Sequence, residues 1–289
     1  MKLSRLILIL CFCAVGCVKQ NEVPAFLVIE SATLVHEKLN RTFPVSTVYV
    51  YQNLLVGAFQ PPVKAPILNM NIDTLNFRGG VWKDGDASIR PLYPFWKFDT
   101  VGHHFARKEE EFTFNPVFRY YPDSVLAYPF KEDFESGQVK FLPSNNFDSL
   151  LTDLKLNQVG PFEGRYCARA TMYKDGRNKL DVHSTDIFDL PLNKEVWLEV
   201  AYRGNAVLGA GLTYFNDAGV EISDDYFLLQ AGYTYFDKDW HLAYFNLKPL
   251  ISTINQTAPN TKYRLRLYSI TSVKDRELNL DYIRILHFK

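Results

Sequence analysis

The stretch Val196-Trp197-Leu198-Glu199-Val200-Ala201-Tyr202-Arg203 constrains the fold most. Val196, Leu198, Val200 and Tyr202 alternate with Trp197, Glu199, Ala201 and Arg203, the period of a half-buried β-strand. Similar apolar, β-branched or aromatic runs recur through the chain. They include Phe26–Ile29, Thr47–Tyr51, Leu54–Phe59, Thr74–Arg78, Val117–Tyr121, Leu208–Phe215, Tyr226–Ala231, His241–Phe245 and Tyr263–Ile270. Turn signals separate them: Gln52-Asn53, Pro61-Pro62, Gly79-Gly80, Asp84-Gly85 and Asn216-Asp217-Ala218-Gly219. Aromatic residues make up 15% of the chain, with 22 Phe and 17 Tyr, and such rings fit pleated sheets better than helix bundles. Only Leu150–Leu156 and Leu247–Ile254 offer a short helical turn, and neither sustains a 3.6-residue period. Strands at this spacing predict an all-β protein of two β-sandwich domains.

The N-terminus sets a second constraint. Met1-Lys2-Leu3-Ser4-Arg5 is basic, Leu6 to Val15 is apolar, and Gly16-Cys17 follows, which is the order of a secretory signal with a small-residue cleavage site. The apolar run is too short for a membrane-spanning helix, which needs about 20 residues. Lys+Arg and Asp+Glu are both 32, and loss of Lys2 and Arg5 with the signal leaves a slight acidic excess. No basic excess invites nucleic acid. Of the four cysteines, Cys11 and Cys13 fall in the signal, leaving Cys17 and Cys167. A disulfide framework is excluded, and Cys167 reads as a small buried hydrophobe.

Ala14-Val15-Gly16-Cys17 resembles a bacterial lipobox. The resemblance implies cleavage before Cys17 and fatty acylation of that cysteine, a stable anchor when several acyl chains are buried. Val18 stands where an Asp would resemble an inner-membrane retention signal, so the outer membrane is expected, with the leaflet left open. VYVYQNLLVGAFQPP, RGGVWKDG and PLYPFW resemble the N-terminal domain of Bacteroidota lipoproteins, with a hairpin pattern like that of PEGA-like β-sandwich modules. Glu132-Asp133-Phe134-Glu135-Ser136-Gly137 and Leu278–Leu286 resemble the first and last strands of jelly-roll domains of the carbohydrate-binding type. The expected organisation is a signal peptide at 1–16, a lipidated tether at 17–25, an N-terminal β-sandwich at 26–120, a linker at 121–131 and a C-terminal jelly roll at 132–289.

Chemistry-bearing motifs are sparse. No Gly-x-Ser-x-Gly elbow, His-Glu-x-x-His or phosphate loop is present, and no enzyme is expected. His103-His104 lies near Glu109-Glu110-Glu111, but neighbours on a strand face opposite ways and are ill placed to share one ion. The jelly-roll resemblance implies a structural Ca²⁺ between the first and last strands, with Glu132, Asp133, Glu135 and Asp281 at the acidic positions; the alternative is ordinary strand-end charges. No other cofactor is expected. Tyr226, Tyr233, Tyr235 and Trp240 read as a sugar platform, a protein-docking surface or core filling. The leading expectation is a non-enzymatic outer-membrane lipoprotein serving as an accessory subunit of a larger outer-membrane protein complex, of the barrel-assembly or secretion group. The alternative is a glycan-binding lipoprotein for polysaccharide capture.

Overall fold

The computed structural model describes residues 23–83, 88–144, 148–216, 218–229 and 237–289, with backbone only for 223–229 and 237–238. The chain is all-β, as its alternation requires. The helix in the described residues is Lys248–Thr257, where the apolar residues Leu250, Ile251 and Ile254 turn one face inward. The second expected turn, 150–156, is not helical. Leu151 instead bridges Lys179, and Lys155–Asn157 forms an edge strand, because pairing satisfies those backbone groups directly.

The C-terminal half is a sandwich of two antiparallel sheets. In the first, the strands run in the order Lys155–Asn157, Cys167–Met172, Arg276–Phe288, Val196–Gly204, Asp237–Asn246. The second runs Phe141–Pro143, Lys179–Ser184, Tyr263–Ile270, Leu208–Phe215, Glu221–Leu229. Leu180, Val182, Val196, Leu198, Val200, Leu208, Leu212, Leu265 and Leu267 fill the space between them. Each such side chain removed from water contributes about 1.5–3 kcal/mol.

Most of the expected linker is strand. Leu126–Glu132 pairs antiparallel with the end of Arg276–Phe288, from Leu126 opposite Phe288 to Glu132 opposite Ile283. The strand beside the last one is therefore Leu126–Glu132, and the segment expected as the first strand, Glu132 to Gly137, instead turns the chain after it. The connector residues already carry core contacts, with Leu126 and Phe130 both about 1% exposed.

The N-terminal half holds three small sheets. The strand Ala25–Ile29 lies between Glu111–Thr113 and Val63–Ile67. Thr33–His36 pairs with Arg41–Pro44 and Val117–Tyr120, and Thr47–Gln52 lies between Leu54–Phe59 and Thr74–Gly80. The expected hairpin is present, turning at Asn53 with a positive φ of 59°. Leu27, Ile29, Val48, Val50, Phe77, Phe95 and Phe118 form its core, and Trp197, Tyr244 and Leu286 of the sandwich belong to the same cluster. The N-terminal half is thus packed onto the outer face of the first sheet.

One backbone irregularity makes that packing work. Glu199 pairs with Arg284 and Ala201 with Asp281, so the long strand carries one extra residue between them. Tyr282 sits there with φ +47°. A bulge reverses which side chains face inward. Before it Leu278 and Leu280 enter the sandwich; after it Ile283 and Ile285 do. Tyr282, Arg284 and Leu286 consequently face the N-terminal half.

Candidate functional site

Two places combine charge with rings. The first is the junction. Glu199 is fully buried, and Arg284 is 5% exposed. The Arg284 Nε donates to Glu199 Oε2, while the hydroxyls of Tyr93 and Tyr120 both donate to Oε1, the latter at 2.8 Å. The guanidinium lies 4.6 Å from the ring centroids of Tyr120 and Tyr282, an arrangement that favours a cation over an aromatic face. Burial and the neighbouring Glu199 carboxylate raise the hydroxyl pKa of Tyr93 and Tyr120, so both remain donors. His36 is 2% exposed, and burial, aided by the Arg284 charge, lowers its pKa to about 4. The Leu39 N–H donates to His36 Nδ1 at 3.2 Å, which leaves the ring proton on Nε2, facing the Tyr282 hydroxyl. A cleft of about 290 Å³ opens beside this network, with His36, Lys38, Tyr120, Tyr121, Tyr128 and Arg284 in its wall. In this wall Lys38 pairs with Asp123 at 2.5 Å and Arg284 with the buried Glu199, while Lys97 also lines the cleft and the Arg284 Nη2 is buried without a hydrogen-bond partner. The junction reads as a structural weld.

The second place is the outer face of the second sheet, which lies across the sandwich from the N-terminal half. Strand alternation puts Asp181 and His183, Arg264, Arg266 and Tyr268, and Gly209, Gly211 and Thr213 on this face. Register aligns them in rows. Asp181, Tyr268 and Gly209 form one, and His183, Arg266 and Gly211 form the next. Arg266 grips Asp181 through two parallel bonds, Nε to Oδ1 and Nη2 to Oδ2, both 2.7 Å. Arg264 Nη1 donates to Glu221 at 3.0 Å, and His183 Nδ1 lies 3.5 Å from the same carboxylate oxygen. Burial lowers the His183 pKa, opposed by Glu221. The Tyr268 ring lies over Gly209: a Cβ on that glycine would stand 2.2 Å from Tyr268 Cζ. The Arg266 guanidinium sits 5.4 Å from the Tyr268 centroid. The paired arginines and acids fix one another's orientation beside an aromatic ring, with the Arg266 and Asp181 side chains 15% and 21% exposed.

The residues singled out from sequence fall elsewhere. Cys17, Tyr233 and Tyr235 lie outside the described residues, and for Tyr226 only the strand position is described. Trp240 is on the first sheet, not with Tyr268. Its Nε1 donates to Gly160 O at 2.9 Å, its ring meets Phe162 edge-on at 5.8 Å, and Arg203 covers it at 4.8 Å. It braces the loop around 160 against the sheet.

The acidic set is used to hold backbone. Glu132 accepts the N–H of Phe134 at 2.8 Å and of Lys140 at 2.9 Å. Asp133 accepts that of Glu135. Glu135 accepts from Arg165 and Tyr166 at 2.7 and 2.8 Å. Asp281 accepts from Phe162, Glu163 and Tyr282, and burial raises its pKa to about 7. Glu135 and Asp281 thus pin the loop 162–166 from two sides. Among the described residues, no three His, Cys, Asp or Glu side chains gather as a metal would require. His103 and His104 point to separate partners, Glu110 and Asp73. Cys167 is buried, and desolvation raises its thiol pKa, which makes it inert.

Sequence reasoning missed Asp181, Arg266 and Tyr268. A signal was present: Arg264, Arg266 and Tyr268 alternate with Leu265 and Leu267, and Gly209 and Gly211 alternate with Ala210 and Leu212. Two glycines facing out of a central strand mark a place where something approaches the backbone closely.

The fold defines an all-β protein whose C-terminal half is a jelly-roll-like sandwich. No family model matches the chain, and no curated protein matches it in sequence. Among solved structures it is similar to the CBM22-1 xylan-binding domain of Xyn10C from Paenibacillus barcinonensis, at 14% identity and TM-score 0.38, covering 57% of this chain and 97% of that one. It is similar to TmCBM61 in complex with β-1,4-galactotriose at 11% identity and TM-score 0.33, covering 53% and 92%. A structure from work on promiscuous carbohydrate-binding modules of the β-sandwich superfamily matches at 11% identity and TM-score 0.38, covering 91% and 99%.

Proposed function

We propose that this chain is a non-enzymatic, lipid-anchored glycan-binding protein. The outer face of the second sheet holds a polysaccharide chain, and Cys17 carries the anchor at the outer membrane. The observation that carries this reading is the row Asp181–Tyr268–Gly209 beside the Asp181–Arg266 pair. A sugar ring offers an apolar face and a rim of hydroxyls. Tyr268 supplies an aromatic surface for the first, and the oriented Arg266, Asp181, Arg264 and Glu221 groups supply donors and acceptors for the second.

The accessory-subunit reading asks instead for a broad apolar docking patch. Apart from Leu54, Leu55 and Leu68 at one end of the N-terminal half, the large exposed apolar side chains of the described residues, such as Phe98, Leu142, Val159, Ile187 and Val273, lie in separate elements of both halves. The glycan reading is therefore preferred.

Affinity electrophoresis through gels containing individual polysaccharides tests it. The wild type is expected to be retarded by at least one, and Tyr268→Ala and Arg266→Gln to migrate freely while keeping the wild-type circular dichroism spectrum. Retardation unchanged in both variants would overturn the assignment of this face.

A further inference from the structure

One end of the N-terminal half gathers uncovered apolar side chains around the point where the chain enters the fold. Ala25 pairs with Ile67, so Leu68 follows directly beyond the first rung of the opening strand. On the other side of that strand, the Glu109 N–H donates to Pro24 O at 2.9 Å and the Phe26 N–H to Glu110 O at 2.7 Å. That places the turn bearing Arg107 and Lys108 beside the entering chain. Gln52, at the tip of the hairpin, is 6% exposed, and its Nε2 donates to Asn69 O at 3.0 Å and Ile72 O at 3.4 Å. This amide latches the hairpin tip to the loop that starts at Leu68. The residues so brought together are Leu54, 80% exposed, Leu55, 53%, and Leu68, 61%.

A single exposed leucine is unremarkable. Here Leu54 and Leu55 open the return strand of the hairpin and Leu68 precedes the loop latched to its tip, at the same end as exposed Arg107 and Lys108 and the exposed Glu109 that follows them. The length of chain preceding Val23 selects the occupant. Between Cys17 and Val23 an extended chain reaches at most about 20 Å, at 3.3–3.6 Å per residue. An anchor at Cys17 holds this end of the molecule, and no other, against the bilayer.

We infer that Leu54, Leu55 and Leu68 form a membrane-contacting tip that enters the interface of a phospholipid bilayer, with Arg107 and Lys108 beside its anionic headgroups. The inference rests on the reading of Cys17 as the lipid anchor. It adds that the protein touches the membrane with its fold as well as with its acyl chains, which fixes its orientation.

The test places an environment-sensitive fluorophore at Leu54→Cys and, separately, at Val273→Cys, which is 79% exposed in the C-terminal half. The full-length protein is reconstituted into vesicles of phosphatidylethanolamine and phosphatidylglycerol, and its mass reports acylation. The expected result is blue-shifted emission, quenched by spin-labelled lipid, at position 54, and water-like emission at 273. Water-like emission at 54 in acylated, vesicle-bound protein overturns the tip and leaves the anchor standing. Absence of acyl chains overturns the anchor alone. The unacylated protein is then mixed with the same vesicles, where a shift at 54 supports the tip and water-like emission overturns it. A blue shift at 54 that precedes addition of lipid and tracks a co-purifying protein also overturns it.

Discussion

Replacing Glu199 with alanine should strongly destabilise this protein. The carboxylate holds three donors in a buried site: Arg284 Nε and the hydroxyls of Tyr93 and Tyr120. Removing it leaves the Arg284 charge buried and unpaired, a loss of about 3–5 kcal/mol. Two tyrosine hydroxyls also lose their acceptor, at about 1–3 kcal/mol each when nothing replaces it. These effects share one site and do not add in full, so the expected loss is roughly 4–6 kcal/mol, against a total stability of about 5–15 kcal/mol. Urea unfolding of the full chain, followed by tryptophan fluorescence, measures it. The double variant Glu199→Leu/Arg284→Met, which removes both charges, should recover most of the loss, because a buried pair contributes little net stability over apolar substitutes. Glu111→Ala, which breaks an exposed pair with Lys64, should change little. A loss below about 1 kcal/mol for Glu199→Ala would mean that water reaches Arg284 and that the junction is not a sealed weld.

Acidification should weaken the same junction. The unfolded chain protonates His36 below its ordinary pKa near 6.5, whereas the folded chain resists until about 4, so stability falls as pH falls through that window, by on the order of 3 kcal/mol. His36→Gln should flatten that slope in melting temperature against pH. Gly204→Ala should destabilise by at least about 2 kcal/mol in chemical denaturation. Its φ of +139° disfavours a side chain, and a Cβ there would stand 2.2 Å from Glu277 O. A calcium chelator should leave the melting temperature unchanged, because Glu132, Glu135 and Asp281 are engaged by backbone N–H groups. A drop on chelation would show that these carboxylates hold an ion instead.

The strands were legible because their alternation is local. Val196, Leu198 and Val200 declare an inner face without reference to the rest of the chain. The outer face was not legible. Glu199 resembles any solvated strand residue, and its burial depends on Tyr93, 106 positions away. The bulge was written into Leu278, Leu280, Ile283 and Ile285, whose spacing breaks phase at Asp281-Tyr282, and the break marks the residues that turn towards the N-terminal half. The acids at 132, 133, 135 and 281 were visible as charges, but hydrogen bonds to loop N–H groups leave no trace in composition. The candidate sugar face was hidden for a similar reason. Asp181 and Arg266 are 85 positions apart, and only the strand register brings them into contact.

The most direct test of glycan binding is a nuclear magnetic resonance titration with the saccharide that retards the protein most, read at the arginine Nε–H and tyrosine ring signals. Saturable shifts at Arg264, Arg266 and Tyr268, with Tyr128 and Arg284 unmoved, are the expected result. Saturable binding that shifts Tyr128 and Arg284 while leaving Arg266 and Tyr268 unchanged would contradict it and move the site to the junction cleft.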